Sequence, residues 1–222
     1  QEKVEWLTGV NSILKIFITG ASSGIGLALA EYYAGQGACL GLAARRSHEL
    51  DLLASKLKIA GAHKVNCYSL DVTDANALKS AAENFIAHFG APDIVIASAG
   101  VSSGTLTECP EDLAAIRRIF DINVYGMAAS FSPFIASMRE AAKIGQTGRL
   151  VGIASVAGIR GLPGAEAYSA SKSAAITYLE SLRLELRASG IKVVTIAPGY
   201  IETPMTAINP YRMPFLLPAQ EA

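Results

Sequence analysis

Six short runs rich in β-branched and apolar residues alternate with five longer segments whose apolar residues recur at helical spacing, and this alternation limits the fold most. The runs cover 13–19, 38–44, 64–70, 93–97, 149–154 and 192–196, and the helical segments cover 27–36, 47–59, 74–89, 111–143 and 166–189. Strands separated by whole helices cannot pair as hairpins. They need crossover connections, which are right-handed and lay helices on both faces of a parallel sheet. The expected class is α/β, a doubly wound parallel sheet, formed as a single domain over 1–222 with an N-terminal extension at 1–12.

Composition narrows the partners. The 222 residues are enough for one extensive core, and 51% hydrophobic against 17% charged residues is the balance of a compact protein rather than a disordered one. Lys+Arg and Asp+Glu both number 19, which removes the electrostatic ground for nucleic acid or an anionic membrane as the main partner. No stretch approaches the roughly 18 apolar residues of a membrane span. The opening Gln1–Trp6 is mixed and polar rather than a leader, and with no initiating methionine it leaves the true start open. Cys39, Cys67 and Cys109 are odd in number and lack partners at metal-ligand spacing, so reduced thiols, a cytoplasmic protein and no metal are expected. Cys39 and Cys67 read as small buried hydrophobes; Trp6, His48, His63 and His88 read as solvated.

The first strand runs into Gly20-Ala21-Ser22-Ser23-Gly24-Ile25-Gly26 before a helix begins. Glycine permits the sharp bend and the close approach of a ligand, and the helix start offers free N–H groups to a phosphate. The second strand ends in Ala43-Ala44-Arg45-Arg46, with no acid to grip a ribose hydroxyl. Two guanidiniums suit a 2′-phosphate instead, so NADP(H) is favoured over NAD(H). In Leu70-Asp71-Val72-Thr73-Asp74, Asp74 is placed to cap the next helix, while Asp71 lies at the sheet edge where an adenine amino group could sit. Ser98-Ala99-Gly100 ends the fourth strand with small residues over which a ribose can lie.

Ser155 follows the fifth strand, and Tyr168 and Lys172 stand four apart on a helix, sharing a face. An ammonium that close is expected to lower the phenol's pKa toward working pH and make Tyr168 a general acid or base. Ser155 could donate a hydrogen bond to an oxygen on which charge develops.

Together with Asn123 in Asp121-Ile122-Asn123-Val124 and with Pro198-Gly199, these motifs resemble the short-chain dehydrogenase/reductase family from about Ile13 to Thr203. The resemblance implies a Rossmann-type domain that moves hydride between a nicotinamide and an alcohol or carbonyl carbon. It implies Tyr168 as acid/base, Ser155 as the orienting hydroxyl, and Lys172 as holder of the nicotinamide ribose. It also implies that Asn123 distorts the long helix and binds a relay water. Backbone near Ile201 and the Thr203 hydroxyl would meet the nicotinamide amide and the phosphates. Ser98 replaces the asparagine often found in the family, a change a small residue tolerates.

The segment 198–222 carries Pro198, Pro204, Pro210, Pro214 and Pro218 among Tyr200, Met205, Tyr211, Met213 and Phe215-Leu216-Leu217. Prolines at that density favour neither helix nor central strand, so a loop on the substrate side is expected, in a chain that looks truncated at its C-terminus. With Ile159, Leu162 and Pro163, the loop points to a hydrophobic ketone or alcohol as substrate. Related enzymes pair through their two long helices, here 111–143 and 166–189, so a homodimer or homotetramer is expected. The rival reading is a nucleotide-sensing regulator of the same fold that binds NADP(H) without turnover.

Overall fold

The computed structural model describes residues 13–207 and 212–221; Trp6 with the rest of the 1–12 extension, and Pro210 and Tyr211 of the tail, lie outside the described residues. Six strands, β1 (Lys15–Thr19), β2 (Cys39–Ala44), β3 (Lys64–Ser69), β4 (Ile94–Ala97), β5 (Gly148–Ile153) and β6 (Ile191–Ile196), form one sheet in the order β3-β2-β1-β4-β5-β6. Every pairing is parallel, as the alternation requires. The order reverses between β1 and β4, where Thr19 stands opposite Ala97. At such a switch point the two chains leave the sheet in opposite directions and a crevice opens at the strands' carboxyl ends.

Helices α1 (Gly24–Gly35) and α2 (Ser47–Ile59) cover one face. Helix α1 buries only Gly26, Ala30 and Ala34, a stripe of small residues that lets its backbone lie close to β1 and β2. The other face takes α3 (Ala75–Phe89), α5 (Gly126–Phe131) and α7 (Glu166–Glu185). Helix α3 buries Leu78, Ala81, Ala82 and Phe85 at the i, i+3, i+4, i+7 spacing of one apolar face. Asp74 caps it, its Oδ1 accepting from the amides of Asn76 and Ala77 at 3.0 Å each. Phe17 and Phe85 meet edge-to-face at 5.6 Å beneath this helix. Gly41 on β2 makes room for both rings, since a Cβ there would lie 2.6 Å from Phe85 and 2.7 Å from Phe17.

Three sequence expectations need correction. The region 111–143 is not one helix. It divides into α4 (Leu113–Phe120), a π-turn at Asp121–Tyr125, α5, a 3₁₀ turn at Ser132–Phe134 and α6 (Ile135–Lys143). Pro133 in the 3₁₀ turn has no amide to continue the ladder. The tail, read as loop throughout, contains a two-residue parallel pair, β7 (Ile201–Glu202) with β8 (Leu217–Pro218). A pair that short tolerates Pro218 because the ladder asks little of its missing donor. Finally, α1 begins at Gly24, not at 27, so the last two glycines of the turn belong to the helix.

Candidate active site

A cavity of about 360 Å³ opens along the carboxyl ends of β1, β2, β4 and β5. At its centre the glycine turn bends through Gly20 and Gly24, with φ of +68° and +56°. A Cβ on Gly20 would lie 2.7 Å from the Ala99 backbone, and one on Gly24 would lie 3.0 Å from Thr203 Cγ2. Any other residue would therefore fill space between the turn, β4 and the tail. Gly26 does not line the cavity; it sits beneath the Gly20 carbonyl, where a side chain would push the helix off the turn. Ser22, Ser23 and Ile25 complete the rim beside the start of α1.

Arg45 and Arg46 line one end of the cleft with Asp71 and Val72. The Arg46 guanidinium spans from β2 to the glycine turn, its Nη2 donating to Ser22 Oγ at 3.1 Å. Asp71 accepts through Oδ1 from the Thr73 amide at 3.0 Å and hydroxyl at 2.9 Å. Burial alone would raise the Asp71 carboxyl, but these two hydrogen bonds and the charges of Arg45 and Arg118 hold it below the usual carboxylate range.

Ser98, Ala99 and Gly100 form the floor next to Gly20. Below them lies Asn123, with no exposed surface, so it does not line the cleft. Its Oδ1 accepts from the Val101 amide at 2.8 Å, and its Nδ2 donates to Val101 O at 2.9 Å and to Ser171 Oγ at 3.0 Å. Ser171 in turn donates to Tyr168 O at 2.7 Å. The π-turn is where the helix accommodates this anchored side chain, as the sequence resemblance implied. Asn123→Ala would leave the half-buried Val101 amide and carbonyl without their side-chain partner, and is expected to cost about 1–3 kcal/mol in urea unfolding.

At the other end, Ser155, Tyr168 and Lys172 share one wall. Ser155 Oγ accepts from the Ala157 amide at 3.1 Å, which leaves its own hydrogen free to be donated. The Lys172 ammonium donates to Ile153 O at 2.8 Å and lies 5.7 Å from the centroid of the Tyr168 ring. Burial pulls Lys172 down to about 8. The lowered phenol expected from the sequence is not found. Burial pushes Tyr168 above its ordinary value of 10.0, and the neighbouring Ser155 side chain offsets only part of this. Desolvation is therefore the larger influence on Tyr168.

Pro198, Gly199, Ile201 and Thr203 close the cleft from the tail, joined by Pro204, Met205 and Thr206. Nothing in the sequence pattern singles out Thr206, yet it ties this strap together. Its Oγ1 donates to Ile201 O at 2.7 Å and accepts from the Thr203 amide at 2.9 Å. Ser171 was missed as well; a serine inside a helix carries no signal of its partner.

The glycine turn and the Ser/Tyr/Lys wall share one cleft, with a buried asparagine at a helix break beneath it. The family model for short chain dehydrogenase matches residues 15–211. The chain belongs to that family. This short-chain dehydrogenase is 40% identical over 205 residues to an "Uncharacterized oxidoreductase" of Myxococcus xanthus, covering 92% of the chain and 79% of the relative. It is 32% identical over 191 residues to 11-beta-hydroxysteroid dehydrogenase 1A of Arabidopsis thaliana, covering 86% of the chain and 53% of that protein, so it spans about half of that relative. Among solved structures, a short-chain type dehydrogenase/reductase from Mycobacterium marinum superposes with a TM-score of 0.85 at 27% identity, over 94% of this chain and 84% of the other. An alcohol dehydrogenase from Thermococcus sibiricus complexed with 5-hydroxy-NADP gives 0.83 at 25% identity, over 95% and 87%. A short chain dehydrogenase/reductase from Burkholderia phymatum in complex with NAD gives 0.81 at 29%, over 88% and 68%. The short-chain dehydrogenase fold thus accompanies both dinucleotides.

Proposed function

We propose that the protein is an NADP(H)-dependent oxidoreductase that interconverts a carbonyl and an alcohol on a hydrophobic substrate. The observation that carries this reading is the shared wall of Ser155, Tyr168 and Lys172, facing a cleft whose far end holds two guanidiniums. The cofactor fits the residues present: the turn at Gly20 and Gly24 leaves little room for side chains, and Ser22, Arg45 and Arg46 gather donors of the kind that suit a 2′-phosphate. When bound, the nicotinamide supplies or accepts the hydride.

The chain's own groups handle the proton and the geometry. Ser155, with its acceptor side taken by Ala157, orients the substrate oxygen by donation. Tyr168, held neutral by burial, is the proton donor to that oxygen in reduction and becomes a phenolate; in oxidation it is this phenolate that takes the proton back. Lys172 keeps two further N–H donors for the ribose hydroxyls after satisfying Ile153. Asn123 fixes Val101 and, through Ser171, the first turns of the helix that carries Tyr168.

Exposed Ile159 and Leu162, with Met205 on the strap, favour an apolar substrate body, and the hydroxysteroid relatives agree with one. Exposed Leu113, Phe120 and Tyr125 on the α4 side and Leu184 on α7 suit association of copies through these helices. Three free thiols suit a reducing compartment such as the cytoplasm.

The direct test mixes the protein with NADPH and a panel of ketones and aldehydes and follows loss of reduced nicotinamide. No oxidation with any member would count against the reading. For the cofactor, Arg45→Asp combined with Arg46→Ala is expected to lower the NADPH:NADH affinity ratio by about 10-fold or more, since charge-assisted bonds to phosphate are lost. A wild type with no NADPH preference would mean that the two arginines serve another purpose.

A further inference from the structure

The two guanidiniums at the adenosine end are not free cations. Arg45 acts on Asp71, whose carboxyl it helps to hold ionised. Arg46 forks between two partners: Nη2 donates to Ser22 Oγ at 3.1 Å, and Nη1 stands 2.7 Å from Glu49 Oε1. Glu49 lies in the first turn of α2, three residues beyond Arg46, with its side chain 40% exposed. Arg46 and Ser22 line the cleft, whereas Glu49 does not.

A 2′-phosphate arriving at Arg46 therefore meets an ion pair. Its attraction to the guanidinium is opposed by the carboxylate on the other edge of the same fork, at a distance where unit charges still act on each other near a protein surface. NAD(H) carries a hydroxyl at that position and is nearly indifferent to the carboxylate. We propose that Glu49 sets cofactor specificity as a counterion to Arg46, tempering the preference for NADP(H) over NAD(H) without touching either. The inference rests on the reading of Arg46 as a 2′-phosphate ligand. An acid in the first turn of a helix also favours the helix dipole. That structural contribution would change the binding of both dinucleotides alike, so the ratio of affinities separates the two roles.

The test is fluorescence titration of NADPH and NADH against the wild type, Glu49→Gln, Arg46→Ala and the double variant. Glu49→Gln is expected to tighten NADPH about 3- to 10-fold while leaving NADH within about 2-fold, and the gain should shrink as salt is added. In the Arg46→Ala background the same change should do little, because the phosphate ligand that Glu49 neutralises is gone. An NADPH:NADH ratio that is unchanged or lowered in Glu49→Gln overturns the inference; a lowered ratio would make Glu49 an organiser of Arg46. If Arg46→Ala leaves the wild-type ratio untouched, the assignment of Arg46 to the 2′-phosphate fails first and takes the inference with it.

Discussion

Replacing Tyr168 by phenylalanine is expected to cut carbonyl reduction by about 10³-fold or more while NADPH binding stays within a few-fold, because general acid catalysis of this kind contributes about 10²–10⁴. The substitution removes one hydroxyl and leaves the ring against Lys172. Burial holds the phenol above its ordinary value, so at neutral pH the residue is a loaded proton donor, and phenylalanine has no proton to give. Stability should move little, which distinguishes a lost proton donor from a damaged fold. Stopped-flow turnover and a parallel cofactor titration measure both halves. Turnover within 10-fold of wild type would sink the mechanism, whereas no turnover in the wild type itself would favour a protein that senses the dinucleotide without reacting.

Lys172→Met is expected to do two opposite things: abolish turnover and raise stability. The Lys172 ammonium is drawn from 10.5 to about 8 by burial. Between those values the unfolded chain binds more protons than the folded one, so the wild type gains stability as pH rises through that window. Below about 8 the whole penalty is present, roughly 3 kcal/mol for a shift of this size. Methionine removes that penalty but also the bond to Ile153 O, worth about 1 kcal/mol. A net gain of about 1–3 kcal/mol near neutrality follows, narrowing as pH rises from about 8 toward 10.5. Urea melts at several pH values test it. A variant less stable than wild type at neutral pH would mean that the buried ammonium is better solvated than its surroundings indicate. The trade of stability for function is what a buried charge at a reactive wall leads one to expect.

The fold was legible because burial on both faces forces a simple rule: central parallel strands are apolar throughout, as in Ile16-Phe17-Ile18 and Leu40-Gly41-Leu42. Helix α3 announced itself by its period and by Asp74. The cleft was legible for a related reason. Residues at strand ends gather at one edge of a parallel sheet whatever their spacing in the chain, so Gly20, Arg45, Asp71, Ser98 and Ser155 had to meet. What stayed hidden depends on burial or on partners remote in sequence. The rise of the Tyr168 pKa comes from desolvation, which spacing does not reveal. Ser171 and Thr206 act through hydrogen bonds that exist only once Asn123 and the strap are in place. The break at Asp121–Tyr125 holds no proline of its own, and the helical spacing runs across it.

Thr203 and Thr206 satisfy each other's polar groups inside the strap, while Pro198 O and Tyr200 O accept from the amides of Val156 and Leu217 outside it. Buried Ile201 and its pairing with β8 hold it down, Thr203 Cγ2 fills the space a side chain on Gly24 would take, and the exposed Gly199 lies at one end of the segment. If the dinucleotide leaves past this strap, its departure is expected to be a gated step whose rate is set by the strap rather than by Tyr168. A deuterated nicotinamide should slow a single turnover fully yet leave steady-state kcat almost unmoved. Widening the gate, by trimming Thr203 to serine, should raise kcat while weakening the grip on the cofactor.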